Sequence, residues 1–592
     1  MGRRAAVRKP ELQASSHGAQ SLADIRSAAR EWAAVAAESR ATLQAALFAW
    51  SAMEAYASAA APRAQLARPV TLSGALDSAA SALARAFGCE AARLDIFGAM
   101  HAITGLYPSL LPSARRSALG AYYTPPVLAD RLVTLAEEAG LDWRTARVLD
   151  PAAGGGTFLL RCAAKMRDAL AGTEPALVLS QIGNRLFGLE IDPFAAALTQ
   201  GSLELLLADL AAASGHRVPS LVRVCDALDE PAEAKFDLVI TNPPYGRVAL
   251  TPAQRKEYAR SLYGHANLYA VFTDIAIRWA KPRGLIAYLT PTSMLGGQYY
   301  AALRALIAKA APPLDLDFVH ARGGVFEDVL QETMLALYVK GAKRLRVSVQ
   351  YLRVQSETRA EVTRNGTFGL PLDPSRPWFA PRDPKHASLI AHIEQMPHRL
   401  GNWGYDVSTG PLVWNRHKPQ LRNARGKKSL PLIWAESVTS DGRFEFRAAK
   451  KNHTPWFEIA GPGDEWLVAR KSCVLVQRTT AKEQSRRLIA AELPRDLIEK
   501  HGGVVIENHL NMIRAKATPA VSSACLTAVL NSRATDEAFR CISGSVAVSA
   551  FELESLPLPS PAAMRPVERL IARRASAERI DAAIGKLYGL NP

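Results

Sequence analysis

No apolar run in these 592 residues reaches the roughly 20 residues that a membrane-spanning helix needs. The opening segment, "MGRRAAVRKPELQ", is basic, but no apolar signal core follows it. A cytoplasmic protein with a loose N-terminal tail and no membrane partner is the expectation. Cysteine is scarce. The six present form no CxxC pair, which argues against a disulfide framework and a structural zinc, so no metal site is expected. No glycine-rich turn is followed by Gly-Lys-Ser/Thr, which argues against a bound triphosphate nucleotide. Internal repeats and long low-complexity tracts are absent as well. Acidic residues are in short supply: 55 Asp and Glu face 72 Lys and Arg, a net charge of +17. A basic excess of this size favours a polyanionic partner. It is also uneven, because about +14 of it falls after Lys340.

What is present divides into three regions. Residues 1–117 read as an Ala-rich helical region behind the basic tail. Residues 118–340 alternate short apolar runs with helical patterns. The runs are "ARVLDPA", "RLFGLEID", "SLVRVCDA", "KFDLVITN", "GLIAYLTP", "LDLDFVHA" and "TMLALYVK". Such alternation predicts an α/β domain with a mostly parallel, Rossmann-like sheet of seven strands. Only "ARGGVFEDVLQE" joins the last two runs, which is short for a helical crossover, so one strand should be antiparallel. Residues 341–592 are irregular, rich in Pro, Trp, Arg and Asn, and read as a mixed α/β domain with short β-runs such as "SCVLVQR" and "GGVVIEN".

The middle region carries the chemistry. "VLDPAAGGGTFLL" is a strand, a glycine-rich turn and a helix start. Glycines let a ligand approach the backbone, and the helix start offers free N–H groups. Glu190 in "LFGLEIDP" ends the next strand, where a carboxylate can accept both hydroxyls of a ribose. Asp192 suits the cap of the following helix better. Asp226 in "RVCDALD" ends a third strand. Three acidic strand ends suit a cofactor with ribose and adenine but few phosphates, and S-adenosylmethionine fits that description. Then comes "TNPPYGRV", where two prolines stiffen the exit from a buried strand and remove two N–H donors. Either the loop merely ends the strand, or it is a rigid loop that presents carbonyl oxygens.

The segments "GAYYTPPVLADRLV", "VLDPAAGGGTFLL", "FGLEIDP", "VCDAL" and "DLVITNPPYG" occur in that order. This resembles the N6-adenine DNA methyltransferases of type II restriction–modification systems, of the gamma class with a C-terminal target-recognition domain. The resemblance is dense from Gly120 to about Lys340. It implies that Tyr122, Tyr123 and Thr124 close over the methionine end of S-adenosylmethionine, with Asp150, Ala152 and the Gly154–Gly156 loop lining the same end. It implies that Glu190 holds the ribose, Ile191 packs on the adenine, and Asp226 accepts from the adenine amino group. It implies double-stranded DNA as the partner. A cognate restriction endonuclease acting on the same site, without a stable complex, would accompany it.

Asn-Pro-Pro-Tyr suits an amine of low nucleophilicity. Asn242 supplies a side-chain carbonyl and Pro243 a main-chain carbonyl held rigid by Pro244, while Tyr245 supplies a stacking face. A target inside a duplex must flip out to reach them. Phe326 in "GGVFEDV" matches the family's second aromatic. The motif also occurs in enzymes that methylate a release-factor glutamine or ribosomal RNA guanine, and those readings stay open. So does a DNA-binding specificity module without activity. The upstream Tyr-Tyr-Thr-Pro-Pro segment and the basic extension favour DNA adenine.

Beyond Lys340, "STGPLVWNRHKPQLRNARGKK" and "VLVQRTTAKEQSRRLI" resemble target-recognition segments, with Arg416, Lys418 and Arg478 as DNA contacts. Glu233-Ala-Lys235 is the one nearby match to a nuclease Glu-x-Lys pair, and its lack of a partner strand marks it as chance.

Overall fold

A computed structural model describes residues 21–35, 38–119, 124–231, 233–321, 332–343, 346–479, 486–542 and 547–590. All seven apolar runs become strands. They are β1 (Val148–Asp150), β2 (Leu186–Glu190), β3 (Val222–Val224), β4 (Phe236–Thr241), β5 (Ala280–Pro291), β6 (Pro313–Ala321) and β7 (Thr333–Val339). Two more follow, β8 (Arg346–Ser356) and β9 (Arg359–Gly369). The sheet has nine strands in the order β3-β2-β1-β4-β5-β7-β6-β8-β9. Strand β1 pairs in parallel with β2 and β4, and β4 in parallel with β5. Strand β7 runs antiparallel to both its neighbours, β5 and β6.

The sheet thus exceeds the seven strands expected. Strand β8 pairs in parallel with β6, and β9 folds back antiparallel on β8. The reversed strand β7 therefore lies inside the sheet, and β9 is a second reversed strand at its edge. The signal was present in the sequence. Val347, Val349, Leu352 and Val354 are buried between more exposed neighbours, a near-alternating pattern of a half-buried strand. Strand β7 differs. All seven of its residues are buried, so it reads as a continuous apolar run without alternation.

By their contacts, the residues form two compact units that cut across the three sequence regions. One comprises Met1–Tyr123, Ala153–Gly183 and Glu190–Val224. In it, the Ala-rich helices 38–60 and 78–91 pack closely. A Cβ on Gly88 would sit 2.1 Å from the Ala52 carbonyl oxygen, so glycine sets that approach. The same unit joins the N-terminal helices to the helix Pro193–Leu206. Tyr107 donates its hydroxyl to Asp192 at 2.6 Å, and Gly201 faces Met53 and Trp50. The other unit comprises Thr124–Ala152, Asn184–Leu189 and Cys225–Pro592. Its core includes the fully buried Trp378, Trp403, Tyr269, Tyr288 and Tyr338. Beyond β9 it carries an antiparallel four-stranded sheet containing Val474–Gln477 and a five-stranded sheet containing Val504–Ile506. These are the two β-runs read from the sequence. Among the described residues, no single helix is long and apolar enough to cross a membrane.

Candidate active site

Strand β4 delivers the Asn-Pro-Pro-Tyr loop at its carboxyl end, where ligands sit in sheets of this kind. Pro243 is buried, while Asn242, Pro244 and Tyr245 are half-buried. The Tyr245 hydroxyl lies 2.8 Å from Asn242 Oδ1 and 2.9 Å from the Leu289 carbonyl on neighbouring β5, as donor to both acceptors. A phenol has a single proton, so the two oxygens share it. The hydroxyl therefore ties the Asn242 amide to the β5 backbone. An amide oxygen has two lone pairs, so a single bond from the Tyr245 hydroxyl does not by itself exhaust it.

Behind Tyr245 stands a cluster of tyrosines. Its ring centroid is 6.4 Å from that of Tyr269, which in turn lies 6.4 Å from Tyr288 and 6.1 Å from Tyr300. The Tyr269 and Tyr338 hydroxyls meet at 3.3 Å. Burial pushes Tyr245 well above the ordinary phenol range, with Tyr269 and Tyr300 adding to the shift. Tyr245 is thus neutral near pH 7 and acts as donor and stacking face, not as a base. Gly246 follows with φ +112°, turning the chain out of the loop. Its carbonyl then accepts from Leu268 N at 2.9 Å, which fixes the far side.

The other expected positions separate by unit. In the unit that holds the Asn242–Tyr245 loop, Asp150 at the tip of β1 is fully buried, and its Oδ1 accepts from Ala152 N at 3.1 Å. Asp226 is half-buried and its Oδ1 accepts from Leu228 N at 2.9 Å. Thr124 is buried. In the other unit, Gly154 and Gly156 adopt positive φ of +51° and +77°. The Gly154 N–H donates to Glu190 Oε2 at 2.7 Å, and Asp192 N donates to Glu190 Oε1 at 3.0 Å. Glu190 therefore braces the glycine turn against the tip of β2. Desolvation raises the pKa of its carboxyl above the usual value, against those backbone bonds. Ile191 beside it is 58% exposed, a large apolar side chain left open at a strand tip. Asp192 caps the next helix by accepting from Phe194 N at 3.0 Å.

Sequence reasoning missed Thr199. Its hydroxyl donates to the Gly154 carbonyl at 2.7 Å, and its methyl fills the space that a Cβ on Gly156 would need. The first polar residue after the apolar run "PFAAAL" was the available signal.

Tyr122, Tyr123 and Phe326 lie outside the described residues. Arg416 and Lys418 are exposed on two short turns, and Lys418 Nζ stands 5.6 Å from the Trp414 ring. Arg478 is half-buried. Its Nη1 donates to the Asn508 carbonyl at 2.7 Å, and its backbone bonds His509 and Val548. It thus ties three segments together. Glu233 and Lys235 pair with each other. Among the described residues no cluster of three or more His, Cys, Asp or Glu could hold a metal ion.

Residues 184–316, which include Glu190, Asp226 and the Asn242–Tyr245 loop, match the family described as Eco57I restriction-modification methylase. The chain is similar to the type II methyltransferase M.BsuBI of Bacillus subtilis, with 24% identity over 470 residues, 75% of this chain and 88% of that protein. It is 30% identical to the type II methyltransferase M.TthHB8I of Thermus thermophilus over 249 residues, 40% of this chain and 49% of that one. Its fold is like that of the type IIL restriction-modification enzyme MmeI in complex with DNA, with a TM-score of 0.50 at 15% identity, covering 87% of this chain and 82% of that chain. The Asn242–Tyr245 loop at the end of β4 lies within residues 184–316, the part of the chain that matches the family described as Eco57I restriction-modification methylase, and the curated relatives to which the chain is similar are type II methyltransferases.

Proposed function

We propose that this chain methylates duplex DNA at N6 of a flipped-out adenine, using S-adenosylmethionine, and so marks host DNA in a restriction–modification system. The observation that carries the reading is the tethered Asn242 amide. An exocyclic amine on an aromatic ring is a poor nucleophile because its lone pair is delocalised. Two fixed acceptors, Asn242 Oδ1 and the Pro243 carbonyl, take its two hydrogens and draw the nitrogen toward a tetrahedral shape. Because the Tyr245 hydroxyl already orients the amide, little reorganisation remains for the reaction itself. The Tyr245 ring supplies a stacking face worth about 1–3 kcal/mol per base, which offsets part of the cost of unstacking the target.

The donor set suits the cofactor. Ile191 is open to a flat ring, the Glu190 carboxylate stands next to it in sequence, and the glycine turn, braced by Glu190, lets a ligand approach the backbone without a side chain in the way. S-adenosylmethionine supplies a methyl group on a sulfonium leaving group. Asp150, Ala152, Gly154 and Gly156 would hold its methionine end, together with Tyr122, Tyr123 and Thr124. Glu190, Ile191 and Asp226 would hold its nucleoside. No strong base is required before transfer, since the amine loses its proton afterwards. That agrees with a clamp whose one titratable member, Tyr245, stays neutral.

The test is direct. The chain is incubated with methyl-labelled S-adenosylmethionine and duplex DNA, and the DNA is digested to nucleosides. Label in N6-methyladenine is expected. Label in N4-methylcytosine, or only in protein or RNA, would overturn the assignment.

A further inference from the structure

Glu507, Asn508 and His509 join Val504–Ile506 of the five-stranded sheet to Leu510–Ala515 of the four-stranded one. All six backbone polar groups of this turn are engaged. Glu507 N donates to the Ile433 carbonyl at 3.0 Å, and Asn508 N to the Leu412 carbonyl at 2.9 Å. Leu510 N closes the turn onto the Glu507 carbonyl at 3.1 Å. Arg478 holds it from another side, with Nη1 on the Asn508 carbonyl at 2.7 Å and its backbone N on the His509 carbonyl at 2.9 Å. The sixth group, His509 N, donates to Glu507 Oε2 at 2.8 Å. Gly410 packs against the turn: a Cβ there would sit 2.2 Å from the Glu507 carbonyl oxygen.

On this frame a buried charge serves an exposed ring. The Glu507 side chain is 1% exposed and that of His509 is 55% exposed, and Nδ1 of the ring meets Glu507 Oε1 at 2.7 Å. Burying a carboxylate is costly unless it is hydrogen-bonded. An apolar side chain packed at 507 would ordinarily serve stability as well. What the carboxylate adds is direction. It can only accept, so it holds the ring proton on Nδ1 and leaves Nε2 as the ring nitrogen for an outside partner. In the neutral ring so held, Nε2 is an acceptor, which matches the exocyclic amino group of adenine or cytosine at a base edge. The surroundings suit DNA. Leu412, which accepts from the turn, leads within a few residues to the exposed Arg416 and Lys418. Arg478, expected from the sequence to touch DNA, supports the turn instead.

We infer that His509 is a specificity-determining residue, whose Nε2 accepts from a base amino group in the target sequence. The assignment rests on the DNA-methyltransferase reading above and names one residue of its recognition surface. Glu507 and Arg478 are positioning residues, Glu507 for the ring and Arg478 for the turn.

The experiment uses the full chain, S-adenosylmethionine and duplex DNA of random sequence, with methylated positions read by sequencing. The parent defines a site. His509→Ala should widen that site at one position, where discrimination falls by roughly 10- to 100-fold, while every other position and S-adenosylmethionine binding stay as in the parent. Glu507→Gln should relax the same position, because an amide can donate as well as accept and no longer holds one tautomer. A purely structural role for Glu507 would lower the melting temperature and leave the site unchanged. His509→Ala strands a buried carboxylate, so Glu507→Gln/His509→Ala is measured beside it and should relax the same position. If the double variant folds and keeps the parent site at every position, the inference fails. A uniform loss of affinity with a shallower salt dependence and no relaxed position marks a phosphate contact, and overturns it too. A parent chain that methylates no DNA removes the underlying reading, whereas a parent site left intact by the variants removes only this one.

Discussion

The Tyr245 hydroxyl does two things that its ring does not. It orients the Asn242 amide, and it ties the clamp to Leu289 of the adjacent strand. Two substitutions separate these roles. Asn242→Ala removes the acceptor outright, and kcat should fall by about 10²–10³ while S-adenosylmethionine affinity stays near the parent value. Tyr245→Phe keeps the stacking face but frees the amide. One net hydrogen bond of about 0.5–1.5 kcal/mol then predicts a loss in kcat of roughly tenfold or less. Single-turnover rates with separate cofactor titrations check both. An equal loss of cofactor affinity in Asn242→Ala would contradict the role assigned. Glu190 offers a pH test. Burial holds its carboxyl above the ordinary glutamate value, so it takes up a proton at a higher pH than a free glutamate does. Below that pH it loses the charge that, in the proposed role, accepts from a ribose. Cofactor affinity should therefore fall on acidification, starting above the usual glutamate range, and calorimetry across pH 5–8 should show this. Glu190→Gln should bind weakly and without that pH dependence.

At the scale of elements, the glycine turn is braced rather than loose. Glu190 holds the Gly154 N–H, and Thr199 holds the Gly154 carbonyl. Gly156 combines a positive φ with a neighbour in the way, since a Cβ would come within 2.6 Å of Thr199 Cγ2. Gly156→Ala should cost roughly 1–3 kcal/mol of stability and weaken cofactor binding. Adding Thr199→Ser, which keeps the hydroxyl and removes the methyl, should recover part of both, and thermal melts of the single and double variants measure that recovery. If the second change recovers nothing, the contact is not the source of the cost.

At the scale of the whole molecule, the basic excess beyond Lys340 does not act uniformly. Arg416 and Lys418 are exposed, whereas Arg478 is tied to the Asn508 carbonyl. Arg416→Ala should weaken DNA binding at an unchanged melting temperature. If it meets a phosphate, the salt slope becomes shallower on every sequence. If it meets a base, one position loses preference by about 1–3 kcal/mol. Arg478→Ala should behave differently and lower the melting temperature first, because the half-buried side-chain bond to the Asn508 carbonyl is lost while the backbone bonds to His509 and Val548 remain. Binding isotherms beside thermal melts on the same preparations separate the two outcomes.

The sequence by itself determined the seven strands from β1 to β7 and the reversed direction of β7. Each strand is an apolar run closed by turn residues, and such signals are local. It also singled out Asp150, Glu190, Asp226 and Asn242–Tyr245, because strand tips and prolines mark the ends of runs. Strand β8 was legible too, in the near-alternation after Arg346, whereas β9 is exposed along most of its length and carries no such signal. Only the tertiary structure decided what depends on the chain's return. Tyr245 and its acceptor Leu289 are 44 positions apart, and Arg478 and the Asn508 carbonyl are 30 apart. It likewise decided that Arg478 is a tie while Arg416 is exposed, although both lie in stretches of similar composition. The physical reason is shared. A hydrogen bond or a charge cluster depends on distance in space, and local propensity carries no record of which remote carbonyl or carboxylate the fold brings near.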